Sequence, residues 1–100
     1  MFVSPSEAAK KRTRTMIIYY YAIHDAKAEV YPRPFDSINH ETAKRQFADL
    51  VNQDGHLLNK HPSDFSLFCV GCYNESSGEL TNLPNEALGN GVDYKRPEER

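Results

Sequence analysis

Cys69 and Cys72, separated by Val70 and Gly71, form the pattern with the most latent chemistry in this chain. A C-x-x-C can ligate zinc or cycle as a dithiol. A structural zinc site needs four ligands, usually a second such pair, and the chain holds only two cysteines. Of the histidines, His24, His40, His56 and His61, none follows Cys72 at a finger-like spacing. A thioredoxin-type dithiol sits at a helix N-terminus. This pair lies in a run that reads as a strand, where residues three apart point to opposite faces. The cysteines are therefore read as two small, partly buried strand residues, and no metal or cofactor is expected. His56 and His61 flank a polar loop and are read as solvent-exposed. There is no Gly-rich phosphate loop after a strand, no nucleophile elbow and no H-E-x-x-H, and the acidic residues stand singly. An enzyme is not expected.

Two other groups of residues point to nucleic acid. Aromatic rings on a sheet face stack bases in several single-strand binders, and Tyr19, Tyr20, Tyr21, Phe65, Phe68 and Tyr73 supply rings in strand-like runs. Alternation puts Tyr19 and Tyr21 on one face and Tyr20 on the other, so one set belongs to the core. Tyr19 and Tyr21 are taken as the candidate stacking pair. The second group is a basic arm. Residues 1–15 hold Lys10, Lys11, Arg12 and Arg14 against Glu7, a net +3, which would attract a polyanion. Lys44 and Arg45, on the outer face of an expected helix, would assist. Met16 directly precedes the first strand and is a possible internal start, which would remove the arm.

The elements that must position these residues follow from hydrophobic period. One domain at most is expected from 100 residues, of which 39% are hydrophobic and 26% charged. The longest apolar run, Met16 to Ile23, is far short of the about 20 residues that a membrane helix needs. No signal peptide is read, and two cysteines without a disulfide framework fit a reducing cytoplasm. Met16–Ile23 is β-branched and aromatic and reads as a strand buried on both faces. Ala28–Tyr31 reads as a short second strand, stopped by Pro32 and Pro34. Asn39 is an N-cap, and Ala43, Phe47, Leu50 and Val51 form one apolar stripe on a helix over 40–53. Phe65–Tyr73 is the next strand, and Glu79–Leu83 a short closing one. The order ββαββ predicts an α+β fold, a small mainly antiparallel sheet with one amphipathic helix on one face. The domain is read as residues 16–84, net −4, between the flexible arm 1–15 and a flexible tail 85–100.

A set of short motifs in fixed order adds to this reading. They are Tyr21-Ala-Ile23-His-Asp25-Ala-Lys27 with Pro34-Phe35, then Ala43-Lys-Arg45-Gln-Phe47-Ala-Asp-Leu-Val51-Asn52. Pro62-Ser-Asp64-Phe65-Ser66-Leu67-Phe68 follows, then Gly71 and the acidic turn Glu75-Ser-Ser-Gly78. Over roughly residues 16–88 the chain resembles the small nonstructural protein of gokushoviruses, single-stranded DNA phages of the microvirus group. Residues 1–15 stand outside that pattern, and Cys72-Tyr73-Asn74 replaces an acidic-aromatic-acidic run. The resemblance implies a protein of the bacterial host cytoplasm, outside the mature virion. It would bind single-stranded DNA in viral DNA synthesis or in the switch from replication to packaging. The acidic body suits a different role, an adaptor, acting as a homodimer, that recruits the replication initiator or the procapsid.

Overall fold

The computed structural model describes residues 16–97. The β-branched and aromatic run near its start forms strand β1, Ile17–Asp25. It pairs antiparallel with two others: β2, Phe35–Ser37, on one side and β3, Phe65–Asn74, on the other. Strand β4, Glu79–Asn90, returns from β3 through a hairpin, so the sheet order is β2-β1-β3-β4. This is a four-stranded antiparallel sheet of an α+β fold.

Helix α1, His40–Val51, starts where Asn39 Oδ1 accepts a hydrogen bond from the Thr42 N–H at 2.8 Å. Glu41 in the first turn complements the positive helix end. Ala43, Phe47 and Val51 recur on one stripe and are fully buried against the sheet. A single turn, α2 (Leu57–Lys60), follows, capped by His56 Nδ1, which accepts from the Leu58 N–H at 3.1 Å. A 3-10 turn, Pro62–Asp64, leads into β3. On β3 the residues Phe65, Leu67 and Cys69 alternate inward and join Tyr21, Phe47 and Val51 in the core.

Three segments differ from the sequence reading. The first strand is not buried along its length on both faces: only Tyr21 and Ala22, which point to opposite faces, are buried. No strand forms over 28–31. The Asp25 carboxylate instead accepts from the Lys27 and Ala28 N–H groups, at 3.0 and 3.2 Å, and closes a turn. Glu29 adopts a left-handed φ of 60° there. The second strand forms only beyond Pro34, where backbone donors are again available.

The third difference is at the C-terminal end. Residues 85–97, read as tail, continue β4 to Asn90 and then form a turn, α3 (Gly91–Tyr94). Asn90 and Asp93 make a reciprocal capping box there. The Tyr94 ring packs edge-on against Phe47, with centroids 5.3 Å apart, and its hydroxyl donates to the Leu88 carbonyl at 2.7 Å. A segment this polar has little to bury except Leu88 and Tyr94, and those two residues decide where it goes.

Candidate nucleic-acid interface

Residues directly opposite each other in an antiparallel pair share a face. The register therefore sorts the sheet. Tyr19 lies opposite Ser37 and Cys72, Tyr21 opposite Phe35 and Cys69, and Cys69 opposite Glu86. This is the side that α1 covers. On the open side Tyr20 lies opposite Asp36 and Gly71, Ala22 opposite Phe68, Ile18 opposite Tyr73, and Tyr73 opposite Leu80.

The open side carries a cluster of rings. His24 and Tyr31 lie 4.4 Å apart between centroids, Tyr31 and Phe68 5.7 Å, and His24 and Phe68 6.3 Å. They sit over Ala22, which is buried although no helix covers it. Tyr31 comes from the loop between β1 and β2, which folds back over this face and leaves the Tyr31 ring half exposed. Tyr20 and Tyr73 extend the row, each partly exposed. His24 and Tyr31 each meet Phe68 edge-on while the His24–Tyr31 pair is tilted at 44°, contacts that fix the rings relative to one another.

Charge is distributed unevenly. Of the strand acids, Asp25, Glu79 and Glu86 fall on the helix side by register, and Asp36 alone on the open side. The loop that brings Tyr31 over the open face adds Lys27 and Arg33 against Glu29. Glu41, Asp49 and Asp54 belong to α1 and its C-terminal end. Most of these acids thus lie away from the rings, with Asp36, opposite Tyr20, and Glu29, on the Tyr31 loop, as exceptions.

The residues read from sequence as a DNA site do not come together. Tyr21 is fully buried, and its hydroxyl lies 2.8 Å from His40 Nδ1, so its ring cannot stack a base. Burial pushes its phenol well above the usual range. Tyr19 faces the same side and packs edge-on against His40 at 5.4 Å. The ring free of the core is the middle one, Tyr20. Lys44 and Arg45 lie on α1, on the opposite layer from the open face, and Lys44 Nζ sits 3.6 Å from Glu41. Lys10, Lys11, Arg12 and Arg14 lie outside the described residues. Phe68 and Tyr73 were among the aromatic candidates, but His24 and Tyr31 were not. The signal that would have found Tyr31 is a ring directly before Pro32-Arg33-Pro34, on the connection that links β1 to its neighbour β2.

The cysteines also differ from expectation. The pairing of β1 with β3 slips between Tyr20 and Tyr21, so Val70 is an extra residue on β3. That bulge reverses the alternation and puts Cys69 and Cys72 on the same, helix-covered face. Burial raises the Cys69 thiol above its ordinary range, and both cysteines are free. Among the described residues no three of His, Cys, Asp and Glu are placed to hold a metal ion. No helix among them is long and apolar enough to cross a membrane.

Comparison with known proteins points to a phage family. Protein ORF5 of Chlamydia phage 1 is 33% identical over 69 residues, covering 65% of this chain and 72% of the relative. No solved structure matches. The family described as Phage ORF5 protein matches residues 18–94, from the first residues of β1 through Tyr94 of α3, and this chain belongs to that family.

Proposed function

We propose that this phage protein is a nonstructural, non-enzymatic single-stranded-DNA-binding protein that uses the open face of its sheet. Its role would lie in viral DNA synthesis or in the switch from replication to packaging. The observation that carries the reading is the row of rings on the uncovered face: Tyr20, His24, Tyr31, Phe68 and Tyr73. Stacking on such rings is worth about 1–3 kcal/mol per base and is tolerant of sequence. Phosphate contacts fall to the basic arm, because the rings lie in near-neutral surroundings.

Fluorescence anisotropy with a labelled single-stranded oligonucleotide tests this. The full chain and a version starting at Met16 should both bind, and Tyr31→Ala and Phe68→Ala should each weaken binding about tenfold. The arm should add a salt dependence, with a log–log slope steeper by about 3 for four phosphate contacts. Failure of both chains to bind at low salt would refute the proposal.

A second reading rests on the net −4 of residues 16–84. An acidic domain with an apolar face suits an adaptor that recruits the replication initiator or the procapsid, alone or as a homodimer. Co-purification with either from nuclease-treated lysate would favour it. A monomer that retains neither would count against it.

A further inference from the structure

Tyr20, Gly71 and Asn82 lie side by side across three strands of the open face, because Tyr20 pairs with Gly71 and Gly71 with Asn82. The middle position has no side chain. Strands are spaced about 4.8 Å apart, so the Tyr20 and Asn82 backbones stand roughly 10 Å apart with no side chain on the residue between them. That gap belongs to an open groove of about 360 Å³ lined by Tyr20, Pro34, Val70, Gly71, Leu80, Thr81 and Asn82. The glycine is required there because a Cβ would meet the Thr81 carbonyl oxygen at 2.9 Å.

We infer that this groove is a nucleobase pocket, a base-reading subsite of the stacking face; the inference rests on the DNA-binding reading above. Its volume lies at the small end of ligand sites, which are mostly apolar with a few placed polar groups. The lining provides one aromatic ring and three aliphatic side chains without a formal charge, suited to both faces of a flat, uncharged ring. Asn82 is exposed, and its amide presents a donor and an acceptor together. Base edges present the same pair, as in the bidentate amide contact to adenine. An aliphatic side chain of a protein partner would leave that amide unused. Tyr20 stands four residues before His24 on one strand and one face, about 13 Å away. A base in the pocket and another on the His24, Tyr31 and Phe68 cluster would belong to the same bound strand.

Oligonucleotides of deoxyadenosine and deoxythymidine, titrated against the full chain, separate the possibilities. Leu80 is 69% exposed and Asn82 is exposed, so Leu80→Ala and Asn82→Ala should leave the thermal midpoint unchanged. The wild type should discriminate between the two homopolymers. Asn82→Ala should bring their affinities within twofold, and Leu80→Ala should weaken both about fivefold. If both variants bind like wild type while Tyr31→Ala binds weakly, the pocket is wrong and the stacking face stands. If no oligonucleotide binds any of the chains, both are wrong.

Discussion

Three consecutive tyrosines have three different neighbourhoods, and only alternation separates them. Tyr19, Tyr20 and Tyr21 are identical in composition terms, and period-2 geometry sorts them into two sets without saying which set faces the helix. That choice is made by contacts distant in sequence: His40 at the start of α1 takes Tyr21 at 2.8 Å and Tyr19 at 5.4 Å between rings. The same histidine approaches Glu86 on β4, 3.6 Å from Nε2. Tyr21, His40 and Glu86 thus tie the middle of the sheet, the helix start and the edge strand together. Tyr21→Phe keeps the ring and deletes the hydroxyl, leaving His40 Nδ1 without this partner. It should cost about 1 kcal/mol by urea denaturation. Ser37 is the opposite case. It is buried, and among the described residues its hydroxyl has no hydrogen-bond partner. An orphan of this kind costs about 1–3 kcal/mol, so Ser37→Ala should raise stability by about 1 kcal/mol. A lower urea midpoint in this variant would contradict that account.

At the scale of elements, helix α1 was readable because every local signal agreed. Asn39, Glu41 and the stripe Ala43, Phe47, Val51 all point to one start and one buried face. Asn39→Ala should therefore cost about 1 kcal/mol, measurable as a lower thermal midpoint without loss of fold. Strand β3 was legible as a strand but not in its phase. The expectation that Cys69 and Cys72 face opposite sides rests on unbroken alternation, and the extra residue Val70 breaks it. A bulge depends on what the neighbouring strands need, and no residue at 69–72 announces one except Gly71. Its glycine is demanded by the close approach of β4 rather than by a turn. Gly71→Ala should force β3 and β4 apart and destabilise by about 1–3 kcal/mol. The second strand lies beyond the segment whose composition predicts one, for a related reason. Ala28–Tyr31 has strand-like composition, but the Asp25 side chain captures the backbone donors first.

The whole molecule is closed by the segment that looks least structured in sequence. Residues 85–97 are mostly polar, yet Tyr94 caps Phe47, Asn52 Nδ2 donates to the Tyr94 carbonyl at 3.0 Å, and Asn52 Oδ1 accepts from the Arg96 N–H at 2.8 Å. Composition hides this closure because two side chains and a few backbone groups accomplish it. The closure also gives the protein a predictable response to base. Burial is the main cause that raises Tyr21, Cys69 and Tyr94 above their ordinary values. Lys44 partly opposes the shift at Tyr94. In the unfolded chain the thiol loses its proton near pH 8.5 and the phenols near pH 10. Above those values the native state holds protons that the unfolded state has released, so stability falls as pH rises. The contribution is fully present at pH 7 and is lost in two stages, the first near pH 9 and the second above pH 10. The urea midpoint should be flat from pH 6.5 to 8 and then decline. Cys69→Ala should remove the first stage and Tyr21→Phe should shrink the second, each measured against its own value at pH 7. A midpoint that holds constant to pH 10.5 in the wild type would mean that these groups ionise in the folded protein as easily as in the unfolded chain. Their place in the core would then have to be given up.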